Sequence, residues 1–161
     1  MEKYIQPFID TTRTVFKDFI GTDVVVDRPF FVDMDKAADW DISAVIGLTG
    51  EARGAVVISM KNSLAIRITD LLTGSSHTNL DNDVVDAVGE VVNIIAGNVK
   101  KGLEEAFRLV ISLPTIVTGK EHAVKWPNNS ARIICIPFTA FGNEAFALSV
   151  AIEAVIGARH G

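Results

Sequence analysis

Apolar positions near the start of the chain recur at steps of three and four: Ile5, Phe8, Ile9, Val15, Phe16 and Ile20, with Thr12 in the same stripe. That spacing predicts a helix over residues 2–19, with Gly21 as its stop. Pro7 is tolerated only in the first turn, so the helix is expected to begin late. The period then switches to extended runs. VVVDRPFFV at 24–32 reads as a strand containing a proline, which belongs at an edge or a bulge. Residues 43–48 and 55–60 read as two strands around TGEARG, a hairpin. Asn62 offers a cap for a helix through LAIRITDLL that Gly74 ends, and GSSHTN is a polar loop. From Asp81 or Asp83 to about Phe107 runs the longest helical pattern, with acids in its first turn and Lys100 and Lys101 towards its end. A second proline-containing strand, 109–117, precedes the loop GKEHAVKWPNNS. Residues 132–138 and 145–152 form another hairpin around TAFGNE.

The two halves of the chain repeat each other. VVVDRPFFV at 24–32 aligns without gaps on LVISLPTIV at 109–117, proline on proline, at an offset of 85 residues. IGLTGEARGAVVIS at 46–59 aligns on IPFTAFGNEAFALS at 136–149, at an offset of 90. Two blocks in the same order indicate an old duplication of a helix–strand–hairpin unit. Hairpins pair antiparallel. The expected fold is therefore α+β: a six-stranded, mainly antiparallel sheet with long helices packed on it.

Composition narrows the function. A chain of 161 residues predicts one domain spanning 1–161. Twenty acids against fifteen Lys and Arg leave a net charge of −5 with no basic run, which argues against nucleic acid as a partner. The N-terminal segment carries two acids and no long apolar run, so no signal peptide is expected. Asn143, Glu144 and Glu153 interrupt the most apolar stretch, 133–156, so no membrane span is expected and a cytoplasmic setting is. Neither a phosphate-binding glycine loop nor a nucleophile elbow, a zinc-protease motif or a CxxC pair is present. His77, His122 and His160 lie in polar loops and the tail and read as surface, so no metal site is expected. Cys135, between isoleucines on a predicted strand, reads as a buried, inert thiol. Lys120, His122, Lys125 and Trp126 read as a solvated loop with one packed tryptophan.

The long helix carries the one pattern that resists a structural explanation. Asp86, Glu90, Asn93, Gly97 and Lys100 follow one another at steps of four, three, four and three. At about 100° per residue they fall within roughly 40° of one line. Val84, Val88, Val91, Val92, Ile95 and Val99 lie opposite and are expected to face the core. A purely solvated face would favour Glu, Lys, Gln, Arg and Ala. Here Gly89, Asn93, Gly97 and Asn98 forgo about 2–4 kcal/mol of helix propensity. Asp86 and Glu90 add a like-charge pair at i, i+4. A glycine in the stripe lets another molecule come close. A carboxylate and a carboxamide a turn apart, facing outward without a pocket, suit a protein partner better than a small substrate.

The run D-x-x-x-E-x-x-N, here Asp86, Glu90 and Asn93, followed by a glycine and about twenty residues later by Pro114, resembles the signature helix of the CheC/CheX/FliY chemotaxis phosphatases. The resemblance covers nearly the whole chain, including the duplicated halves and both hairpins. The duplication sets Ile5 opposite Glu90 and Phe8 opposite Asn93, so only one half carries the pair, as in the CheX-like branch. The resemblance implies dephosphorylation of the response regulator CheY, with Asn93 positioning the attacking water and Glu90 pairing with the regulator's lysine. Asp86, Gly97 and Lys100 are then partner-binding. It implies no cofactor of the chain's own, Mg²⁺ being held by the regulator, and a homodimer. The competing expectation is a non-catalytic module of the same fold that binds the regulator without hydrolysing its phosphate.

Overall fold

The structure, a computed structural model, describes residues 4–32, 39–119 and 132–155. Helix α1 (Ile5–Val15) does begin late, which leaves Pro7 in its first turn, where a missing N–H costs nothing. It widens into a π-helical turn over Phe16–Ile20 and stops at Gly21, whose φ of +89° is the left-handed conformation that glycine adopts freely. Then follow β1 (Val24–Val26), β2 (Phe30–Val32), β3 (Ile42–Gly50), β4 (Ala52–Met60), α2 (Asn62–Thr73) and α3 (Asn82–Leu103). The second half adds β5 (Leu109–Ile111), β6 (Thr115–Thr118), β7 (Ile133–Ala140) and β8 (Glu144–Ala154).

All pairings are antiparallel, and the helices pack on one face of a single sheet, so the α+β expectation holds. The sheet has eight strands in six lanes, ordered β1, β7, β8, β4, β3, β5, with β2 also on β7 and β6 also on β3. The two extra strands arise where each proline-containing run breaks. Pro29 falls between β1 and β2 and Pro114 between β5 and β6, because a residue without an N–H cannot continue the ladder. Both broken runs form the outer lanes.

The duplication is written into the register. Val24 pairs with Ala140, and the offsets of 85 and 90 carry this pair onto Leu109 with Gly50. Phe30 with Cys135 likewise maps onto Thr115 with Val45. Ile58 pairs with Leu148, its own equivalent, so the pseudo-two-fold passes between β4 and β8. Each half therefore lends its broken strand to the other half's hairpin. The core fills the space between helices and sheet, with Phe16, Phe146 and Phe138 stacked at centroid spacings of 4.5 and 5.0 Å.

Two local expectations are corrected. Asn62 is not the cap of α2 but its first residue; its N–H donates to Asp41 Oδ2 at 2.8 Å, so a neighbouring segment supplies the acceptor. Helix α3 ends at Leu103 rather than near Phe107, since Ala106 and Phe107 both donate to the Leu103 carbonyl in a closing turn. Phe107 still reaches the core, which is why its apolar spacing looked helical. Cys135 is buried on β7, and that burial pushes its thiol above the ordinary range, against a weaker pull from Ser149.

Candidate active site

Helix α3 is fixed at its ends and along its inner face. Asp81 caps it, accepting from the Val84 N–H at 3.1 Å; Asp83 lies in the first turn and Lys100 and Lys101 in the last. Val84, Val88, Val91, Val92, Ile95 and Val99 are all buried as expected. The helix packs against both α1 and α2 and lies over β3 and the β5–β6 lane. Among the described residues, the polar stripe is left open to solvent, together with Asn98, Lys101 and Gly102 near the helix end.

On that stripe Asp86 and Glu90 are exposed, and Asn93, Gly97 and Lys100 are half-buried. Among the described residues, none of the four polar side chains has a hydrogen bond or ion pair. Glu90 and Asn93 stand one turn apart, with Cβ atoms about 5–6 Å from each other. A methyl group added to Gly97 would meet nothing within 4 Å, so no neighbour within the chain requires a glycine there. At Gly89 an added Cβ would lie 3.4 Å from Ile116 Cδ1 and 3.5 Å from Pro114 Cγ, which is ordinary contact. Pro114 therefore lies against the helix at Gly89, one turn before Asn93.

The turn bearing Pro114 is itself pinned. Ser112 Oγ accepts from the Gly47 N–H at 2.8 Å and donates to the Leu113 carbonyl at 2.9 Å, while Ser112 N–H donates to the Gly47 carbonyl at 3.0 Å. In the first half the corresponding helix face turns inward: Ile5 and Phe8 are buried in the core. The duplication thus leaves one polar stripe and one packing face. Chemically, the stripe offers a charged acceptor and a group that both donates and accepts, open to a large partner.

The histidine reading needs correction at one residue. His77 is not plain surface: its side chain is 5% exposed, with Nδ1 2.8 Å from Asp70 Oδ1 and Nε2 3.1 Å from Asp83 Oδ2. Its backbone N–H also donates to Asp70 Oδ1 at 2.8 Å. These hydrogen bonds, first to Asp70 and then to Asp83, raise its pKa above the ordinary 6.5. One ring nitrogen of His77 and carboxylate oxygens of Asp81 and Asp83 lie within 4.8 Å of one another, close enough to hold a cation. A protonated imidazole satisfies both its own nitrogens and the two carboxylates that face them, and we assign no metal there. The local spacing gave no sign of this cluster because α2 and α3 must pack before Asp70 and Asp83 flank one ring. His122, His160, Lys120, Lys125 and Trp126 lie outside the described residues. Among the described residues, no helix is long and apolar enough to cross a membrane.

Comparison with known proteins bears on the whole arrangement. The chain is 25% identical over 153 residues to the CheY-P phosphatase CheX of Thermotoga maritima, covering 94% of this chain and 96% of that one. The crystal structure of the chemotaxis protein CheX from Vibrio vulnificus superposes with a TM-score of 0.83 at 28% identity, covering 94% and 99% of the two chains. The CheX of Borrelia burgdorferi, solved in complex with CheY, BeF₃ and Mg²⁺, shares the fold with a TM-score of 0.79 at 24% identity, covering 93% and 97%. The family model described as chemotaxis phosphatase CheX matches residues 42–139, which run from β3 through α3 into β7 and include the entire polar stripe, and this chain belongs to that family.

Proposed function

We propose that this chain hydrolyses the aspartyl phosphate of a CheY-type response regulator, using Glu90 and Asn93 on α3. The observation that carries the reading is the stripe itself. Among the described residues, a carboxylate and a carboxamide stand a turn apart without partners, on the open face of a helix whose opposite, valine-rich face is buried. The Thermotoga relative named as a CheY-P phosphatase supports the substrate, and the Borrelia complex supports a CheY partner for this fold.

An acyl phosphate is already activated, so the missing ingredient is a water held in line with the scissile bond. The Asn93 carboxamide accepts from that water through its oxygen and faces the phosphoryl group through its N–H donors. Water oxygen bonds to phosphorus, the bond from phosphorus to the aspartyl oxygen breaks, and the carboxylate leaves. Inorganic phosphate is the product, with the water's protons passing to it and to solvent. Glu90 pairs with the regulator's active-site lysine and sets the docking register. Asp86, Gly97 and Lys100 complete the contact surface. Mg²⁺, held by the regulator, neutralises phosphoryl charge. The reading carries with it a single domain over 1–161, a cytoplasmic setting and a homodimer, which sedimentation at micromolar concentration reads directly.

The test is the lifetime of a phosphorylated regulator with and without substoichiometric amounts of this protein. Multiple turnovers per chain are the expected result. Binding without any shortening of the lifetime would leave a docking module and remove the enzyme.

A further inference from the structure

We propose that Leu113 is an apolar docking anchor for the same partner, seated beside the polar stripe; this rests on the phosphatase reading for the partner's identity. Leu113 is 86% exposed, the highest value for any large apolar side chain among the described residues. An exposed leucine on a floppy loop would mean little, but this one is held still. Ser112 ties the turn to β3 through two hydrogen bonds with Gly47, its hydroxyl also donates to the Leu113 carbonyl within the turn, and Pro114 rests against α3 at Gly89. Gly89 directly precedes Glu90 and lies one turn from Asn93, so a partner covering those two side chains also reaches the turn.

The duplicated half supplies an internal control. At the offset of 85 residues Leu113 corresponds to Arg28, and Pro114 to Pro29. Arg28 is exposed on an equally short break between two edge strands, with its N–H donating to Asp27 Oδ1 at 2.7 Å. The turn therefore does not require an apolar residue at its tip. Leucine stands there only in the half that carries Glu90 and Asn93, whereas the half with Ile5 and Phe8 in their places carries a charge. The geometry thus points to a regulator with an apolar depression next to the lysine that Glu90 engages. A rigid aliphatic anchor at the edge of a polar contact supplies affinity by desolvation, while the polar groups supply register and chemistry.

The experiment compares wild type, Leu113→Ser, Leu113→Met and Asn93→Ala on a phosphorylated regulator. It adds calorimetric binding to the regulator activated with beryllofluoride. Leu113→Ser is expected to raise KM and Kd by about tenfold or more while kcat at saturation stays within about twofold. Leu113→Met should recover most of the affinity, because it restores apolar area. Asn93→Ala should show the opposite split. Unchanged KM and Kd in Leu113→Ser would overturn the anchor, as would a fall confined to kcat. A wild type that binds the regulator through Leu113 but never shortens its phosphate lifetime would support the anchor and remove only the phosphatase reading.

Discussion

Glu90 and Asn93 sit a turn apart on one helix, yet the chemistry gives them separable work. Asn93 acts on the water, so its loss should fall on kcat. Asn93→Ala is expected to slow hydrolysis by about 10²–10³ while leaving regulator affinity nearly intact. Glu90 acts on the partner's lysine across a surface that desolvates on docking. Glu90→Gln should therefore cost about 2–5 kcal/mol of binding as well as turnover. A double-mutant cycle against the regulator's lysine should be non-additive; strict additivity would move Glu90 out of the interface. Gly97 makes a third, opposed kind of claim. Its helical conformation and the empty space above it mean that Gly97→Ala should stabilise the protein by about 0.5–1 kcal/mol. The same methyl group should lower kcat/KM by holding the partner away. Denaturant midpoints and kinetics on one variant test both halves; a variant that is more stable and fully active would free Gly97 of any role in docking.

At the scale of elements, the question is what holds α3 in place while a partner presses on it. Its middle is packed on α1, α2 and the sheet, and its first turn is tied to α2 by His77 between Asp70 and Asp83. Three carboxylates face that ring: Asp70 from α2, and Asp83 and the cap Asp81 from the start of α3. A histidine whose folded pKa is raised stabilises the fold fully below its unfolded pKa near 6.5, and loses that contribution as pH rises through the folded value. The melting temperature of wild type relative to His77→Gln should therefore be greatest in mildly acidic buffer and shrink as the pH is raised into the alkaline range. A difference that stayed flat, or grew with pH, would show that the imidazole is not the charged tie between the two helices.

For the whole molecule, the crossed pairing is the dominant fact. The β1–β2 lane of the first half adds to β7 of the second, and the β5–β6 lane of the second adds to β3 of the first. Neither half can complete its share of the sheet alone, and the central β4–β8 pair joins them along nine residue pairs. Unfolding should consequently be a single cooperative transition, with backbone dichroism and tryptophan fluorescence coincident in denaturant. Two separated transitions would mean that the halves are independent units, contrary to this topology. The outer edges are short and interrupted by Pro29 and Pro114, which limits uncontrolled edge-to-edge association.

The local sequence settled whatever depends on period and on single special residues. The stripe of α3, its buried valine face, the stops at Gly21 and Gly74 and the edge placement of the two proline-containing runs all follow from 3.6-residue geometry, left-handed glycines and a missing N–H. The duplication was legible as well, because a gapless repeat preserves register. Long-range packing decided the rest. Asp41 reaches the start of α2 from before β3, His77 becomes an interior ion-pair partner only when two helices meet, and Phe107 enters the core from a turn. Leu113 is the sharpest case. In sequence it is one more apolar residue in an apolar run. Only the break at Pro114 and the clamp from Gly47 turn it out of the sheet and hold it in solvent, next to the proline that rests on α3 at Gly89. Periodicity describes a residue relative to its own element, whereas exposure and partners are properties of how elements meet, and those are fixed only when the chain closes on itself.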